Sequence, residues 1–178
     1  DVGSGKTMVA AAAAYCAARN GAQTALMAPT EILAEQHFAS LSALFVPLGV
    51  SVALLTGSQT AKQKKDVRER IAAGEVQVVI GTHALLSEST RFEHLGLVIT
   101  DEQHRFGVGQ RSRLSAKGED PHLLVMSATP IPRTLALILY GDLDVSILDE
   151  LPPGREPVDT FLVGESYRPR INAFIRKH

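Results

Sequence analysis

Apolar residues along this chain gather in short continuous runs, separated by longer stretches in which they recur every three or four positions. Thr24–Ala28, Val50–Leu55, Val76–Ile80, Leu95–Thr100 and His122–Met126 are runs of the first kind. Their length and their aliphatic content predict strands. The runs without alternation, Val76-Gln77-Val78-Val79-Ile80 and Leu123-Leu124-Val125-Met126, predict strands buried on both faces. The stretches between them carry helix signals. Lys6–Arg19 is Ala-rich and stops at Asn20-Gly21; Glu31–Phe45 follows Pro29 with Thr30 placed as N-cap; Ala61–Ala73 is rich in charge and closed by Gly74. A short helix is expected over His83–Leu86, another helix over Pro132–Tyr140 and a last strand over Asp144–Leu148. The charged, Gly-bearing segment from Gln103 to Lys117 carries neither pattern. Repeated alternation of this kind predicts an α/β fold with a mostly parallel, doubly wound sheet and right-handed crossovers.

The texture changes after Glu150. Leu151-Pro152-Pro153-Gly154-Arg155-Glu156-Pro157 continues neither a helix nor a central strand and reads as a linker. Val158–Val163 then has the look of a new strand and Arg170–Lys177 of a new helix. Residues 1–150 are accordingly expected to form one domain, and residues 151–178 a linker and the first elements of a second. The alternative is a C-terminal arm packed on the same domain.

Composition narrows the function classes. With 178 residues, 45% of them hydrophobic and 21% charged, the chain has the make-up of a cytoplasmic globular domain with a full core. A formal net charge of −1 excludes a polycation, so any nucleic-acid binding must come from placed contacts rather than a general positive field. The one cysteine, Cys16, excludes an internal disulfide and is expected as a small core residue. The run Met8–Ala18 mimics the apolar part of a secretion signal, but it is mostly Ala and lacks Leu. No segment approaches the roughly 20 apolar residues that span a membrane. His37, His83, His94, His104, His122 and His178 have no zinc-ligand spacing.

Candidate chemistry begins at the first residue. Asp1-Val2-Gly3-Ser4-Gly5-Lys6-Thr7 matches the end of the phosphate-loop pattern G-x-x-x-x-G-K-[ST], whose first Gly position, and whose supporting strand, would precede Asp1. Small residues let the amides of Gly3, Ser4 and Gly5 close around phosphate oxygens, while the following helix points its positive end at the same anion. Lys6 would reach the β- and γ-phosphates of ATP, and the Thr7 hydroxyl would hold Mg²⁺. The run Leu95–Thr100 ends in Asp101-Glu102-Gln103-His104. Carboxylates at the end of a buried parallel strand stand where open α/β sheets bind ligands. Asp101 would hold Mg²⁺ through its hydration shell, and Glu102 would take the proton of the attacking water.

Four more segments select among phosphate-loop proteins: Ala28-Pro29-Thr30-Glu31, Thr56-Gly57, Gly81-Thr82-His83 and Ser127-Ala128-Thr129. Each follows a predicted strand. In this order, with G-K-T and D-E-Q-H, they resemble the first motor domain of superfamily 2 helicases. Three longer runs are similar to the RecG family of bacterial DNA branch-migration helicases: Glu31-Ile32-Leu33-Ala34-Glu35-Gln36-His37, Asp101 through Val108, and Ala128 through Leu135. Glu150-Leu151-Pro152-Pro153-Gly154-Arg155 is similar to that family's linker between motor domains. The transcription-repair coupling factor is a near relative that shares Pro130-Ile131-Pro132-Arg133-Thr134-Leu135, but it usually carries a second Glu where this chain has Gln103.

The resemblance implies a RecA-like phosphate-loop NTPase domain lacking its first strand, in an ATP- and Mg²⁺-dependent motor that remodels branched DNA in repair and recombination. It implies sugar-phosphate contacts at Pro29, Thr30, Gly57, Thr82 and His83. It makes Gln103, His104, Ser127 and Thr129 the couplers between nucleotide state and DNA grip. It also implies a second motor domain and a wedge domain in the full-length chain. Thr100 departs from the family, which has an aliphatic residue before the first carboxylate. Two rival readings are a phosphate-loop GTPase or small-molecule kinase, and a DNA-docking module without catalysis. The first lacks the N-K-x-D base-recognition run, and its kinase form should not carry Ser127-Ala128-Thr129.

Overall fold

The computed structural model describes residues 5–101, 113–127 and 162–177, with single positions at Asp144, Ser146, Leu148 and Thr160. Five strands form one sheet: β1 (Gln23–Met27), β2 (Val52–Leu55), β3 (Val78–Gly81), β4 (Leu95–Thr100) and β5 (His122–Val125), in the order β2-β3-β1-β4-β5. Every adjacent pair is parallel. Helices α1 (Lys6–Arg19), α2 (Glu31–Phe45) and α3 (Ala61–Ala72) fall where the periodicity places them, as does a one-turn 3₁₀ helix at His83–Leu86. A further helix, α4 (Arg168–Lys177), begins two residues ahead of the expected Arg170.

Local sequence accounts for these boundaries. Thr30 caps α2 by accepting the Leu33 amide at 3.3 Å. Thr60 and Gln63 form a reciprocal capping box on α3, an arrangement whose hydroxyl alone contributes about 1 kcal/mol. Gly74 closes α3 with φ +72°, a left-handed conformation that costs glycine nothing. Strands β2 and β3 start two residues later than expected because their first rungs are made by side chains. The Ser51 amide donates to Gln77 Oε1 at 3.0 Å, and the Gln77 amide donates to Ser51 Oγ at 3.0 Å.

Alternate residues of the central strands feed two cores. Leu26, Val78, Ile80, Leu97 and Ile99 pack with Ala10, Ala11, Ala14 and Ala18 of α1 and with Ala34, Leu41 and Phe45 of α2. Ala25, Met27, Val79 and Val98 pack on the opposite face with Ile71 of α3, Leu85 of the 3₁₀ turn and Leu114. Both faces are therefore covered, which explains the unbroken apolar runs. Cys16 is exposed rather than a core residue. It lies two positions beyond buried Ala14, on the side of α1 turned away from the sheet.

The helix expected over Pro132–Tyr140 and the whole Leu151–Pro157 linker fall outside the described residues, so the division at residue 150 stays an expectation. Asp144, Ser146 and Leu148 are not in a strand, nor are Thr160, Leu162 and Val163. Among the described residues, no helix is long and apolar enough to cross a membrane.

Candidate nucleotide and nucleic-acid site

All strands being parallel, their carboxyl ends share one edge of the sheet. The connection from β1 leads out to β2, whereas that from β3 crosses back over β1 to β4. This reversal puts a crevice at the carboxyl ends of β1 and β4, the place where open α/β sheets bind ligands. Met27 and Thr100 are register partners there, and the Asp101 amide extends the ladder by donating to Met27 O at 3.1 Å.

Helix α1 delivers the phosphate-loop residues to the same edge. The tight turn at Asn20-Gly21 folds α1 back against β1, so the start of α1 returns to the level of the strands' carboxyl ends. Gly5 has φ +87°, which only glycine adopts without strain, and its carbonyl accepts the Met8 amide at 2.9 Å. No side chain caps α1 and no acidic residue stands in its first turn. The positive end of its dipole thus faces the carboxyl ends of the strands, with Lys6 and Thr7 on that first turn. These features fit a nucleotide phosphate with its cation. Gly3 and Ser4 lie outside the described residues.

Asp101 is placed at the end of β4, and its carboxylate is engaged. His37 Nε2 lies 2.7 Å from Asp101 Oδ2, with side-chain exposures of 11% and 14%. Sequence reasoning passed over His37 as one more scattered histidine. The available signal was its place three residues after buried Ala34, on the inward stripe of α2 where an apolar residue is normal. Glu102, Gln103, His104 and Thr129 lie outside the described residues, whereas Ser127 follows Met126, whose amide donates to Thr100 O at 2.9 Å.

The residues expected to touch nucleic acid follow β1, β2 and β3. Pro29 and Thr30 are partly exposed at the head of α2, and Gly57 and His83 are exposed. Thr82 is buried, at 3% exposure, and its Oγ1 has no hydrogen-bond partner among the described residues. Glu31 joins these loops. It accepts the Ser58 amide at 2.9 Å, and a Cβ added at Gly57 would come within 2.8 Å of Glu31 Oε1 and 3.8 Å of the His83 ring. Hydrogen bonding from the Ser58 hydroxyl, and secondarily from the Ser58 and Gly57 amides, holds the Glu31 carboxyl below its usual range against an opposing desolvation; nearby His83 adds to the lowering. Gly57 is thus the residue that fits between a carboxylate and an imidazole.

Comparison with known proteins gives the family. The DEAD/DEAH box helicase model matches residues 1–138. The chain is 56% identical over 177 residues to the ATP-dependent DNA helicase RecG of Bacillus subtilis, covering 99% of this chain and 26% of that protein. It is 57% identical over 175 residues to RecG of Haemophilus influenzae, covering 96% of this chain and 25% of that protein. It therefore spans about a quarter of the length of these relatives. A solved structure of RecG bound to a three-way DNA junction superposes with a TM-score of 0.85 at 48% identity, over 99% of this chain and 24% of that one. Yeast Dbp5 bound to RNA and ADP BeF3 shares the fold, with a TM-score of 0.61 at 17% identity over 78% of this chain and 37% of that one. With its parallel sheet and a family-model match over residues 1–138, the chain belongs to the DEAD/DEAH box helicase family.

Proposed function

We propose that this chain is the first motor domain of a RecG-type DNA helicase, a cytoplasmic ATPase that moves on double-stranded DNA and remodels forks and Holliday junctions. The observation that carries the reading is the gathering of Lys6, Thr7, Pro29, Thr30, Gly57, His83, Asp101 and Ser127 along one edge of a parallel sheet. Relatives that bear the RecG name and the likeness to a junction-bound RecG support it.

The reaction is phosphoryl transfer from ATP to water, in which positioning and electrostatics do most of the catalysis. The amides of Gly3, Ser4 and Gly5 and the start of α1 would cradle the phosphates. Lys6 would place an ammonium against the β- and γ-phosphates, where charge builds as the bond to the leaving group breaks. Mg²⁺, when bound, neutralises phosphate charge; Thr7 Oγ1 would hold it directly and Asp101 through water. Glu102 would accept the proton of the attacking water. Thr30, Gly57 and the His83 side chain would grip sugar-phosphate without reading bases, with Pro29 and Thr82 shaping the turns that present them. Gln103, His104, Ser127 and Thr129 would pass nucleotide state to that grip. The second motor domain would close the nucleotide site, and the wedge domain would hold the branch.

The test is ATP turnover by the full-length protein with no DNA, linear duplex and forked DNA. Strong stimulation by forked DNA is expected. Turnover indifferent to all DNA would overturn the motor reading.

A further inference from the structure

His37 sits where two parts of the site meet. It belongs to α2, whose first residues Thr30 and Glu31 stand at the nucleic-acid edge, and it reaches across to the carboxylate at the end of β4. The pairing spans 64 residues of sequence, and only packing brings it about. An ionised Asp101 has no hydrogen to give, so the imidazole donates through Nε2–H. The contact is short, mostly shielded from water and made by a ring with few rotamers. Such a donor fixes a carboxylate's direction. A carboxylate accepts up to about four hydrogen bonds, so the pair leaves Asp101 able to serve other partners.

Helix α2 is a rigid lever. Ala34, Leu41 and Phe45 lock it onto the sheet, and the Thr30 cap and the Glu31–Ser58 hydrogen bond fasten its head to the loops after β1 and β2. His37 is a polar residue on the inward side of this helix, and it contacts the residue that the motor reading gives to the cation. A shift of the loops when DNA is gripped would move the head of α2, and the His37–Asp101 contact would carry that movement to the nucleotide site.

We infer that His37 is a positioning residue that orients Asp101 for the nucleotide-bound cation and ties this orientation to nucleic-acid engagement through α2. The inference rests on the motor reading and extends it to a residue outside the phosphate loop and the loops that reading gives to nucleic acid.

The experiment measures the affinity of the full-length protein for a fluorescent ADP analogue with Mg²⁺ and with EDTA, and separately DNA-stimulated ATP turnover. It compares wild type, His37→Ala and His37→Gln. In His37→Ala, affinity with Mg²⁺ should fall about tenfold, the scale of one charge-assisted hydrogen bond, while affinity in EDTA stays unchanged. The ratio of DNA-stimulated to basal turnover should fall as well. The Gln amide can donate from nearly the same point, so His37→Gln should recover both quantities. Equal affinities of wild type and His37→Ala with Mg²⁺ would overturn the proposal. Parallel losses with and without Mg²⁺, together with a lowered melting temperature, would also overturn it by showing a packing role. A wild-type protein that fails to bind nucleotide, or whose turnover ignores DNA, would instead sink the motor reading.

Discussion

Glu31 accepts the Ser58 amide at 2.9 Å, and through this contact the head of α2 holds the loop that follows β2. The two segments come from different crossovers, yet both belong to the edge assigned to nucleic acid. Glu31→Ala should free the Gly57-Ser58 loop and weaken DNA binding by the full-length protein about three- to tenfold, the range of one ordinary hydrogen bond. Fluorescence anisotropy with labelled duplex measures this. Nucleotide affinity without DNA should not change.

The same carboxyl gives a pH dependence with a definite sign. Its folded-state pKa lies below the ordinary value of 4.5. The group therefore contributes stability to the loop above the unfolded pKa and loses it as pH falls through the folded one. Hydrogen-exchange protection of the Ser58 amide should be steady above pH 4.5 and decline below it. In Glu31→Gln that decline should vanish, because nothing at this position titrates.

Lys6→Ala should abolish ATP turnover and leave DNA binding largely intact. Lys6 stands on the first turn of α1, and a lysine elsewhere cannot reproduce that position. Steady-state turnover and a DNA-binding titration on the same preparation separate the two effects. Normal hydrolysis would mean that the loop holds something other than a nucleotide.

Glu102→Gln should trap ATP. The amide keeps the shape of the side chain but takes no proton from water, so turnover should fall by about 10²–10⁴ while nucleotide affinity survives. Filter binding of labelled ATP beside a single-turnover assay reads both. Near-normal turnover would remove Glu102 from the role of base.

Much of this fold is legible in the sequence because its signals are local. Thr30, Thr60 and Gly74 mark helix ends by capping and by left-handed glycine geometry, and the unbroken run Val76–Ile80 marks a strand covered on both faces. The segments that follow the strands can be assigned to one edge as soon as the sheet is taken to be parallel. Strand order is less legible, since no local feature tells the chain to set β3 between β1 and β2. Strand starts fail where side chains replace backbone rungs, as Ser51 and Gln77 do. The His37–Asp101 contact could not be read at all. A histidine at helical spacing carries no mark of the partner 64 residues away.

Gln23 offers the clearest test of stability. It opens β1 and is 3% exposed, and its amide is fully used. Nε2 donates to Ile71 O at 2.9 Å and to Val76 O at 2.8 Å, while Oε1 accepts the Glu93 amide at 2.9 Å and the His94 amide at 3.1 Å. One side chain thus satisfies backbone groups at the end of α3, ahead of β3 and ahead of β4, on the edge of the sheet opposite the candidate site. Gln23→Leu keeps the volume but strands the Val76 carbonyl and the Glu93 and His94 amides, each costing about 1–3 kcal/mol when buried without a partner, while the Ile71 carbonyl keeps the Gly74 amide at 3.1 Å. Water entering the gap would recover part of that, so a net loss of about 3–5 kcal/mol is expected. Gln23→Glu should cost at least as much, because one oxygen of its buried carboxylate would face the Ile71 and Val76 carbonyls at the 2.8–2.9 Å now spanned by donations from Nε2. Urea unfolding of the two variants beside wild type, followed by circular dichroism, would show this order. A Gln23→Leu protein as stable as wild type would mean that these turns are held by packing alone.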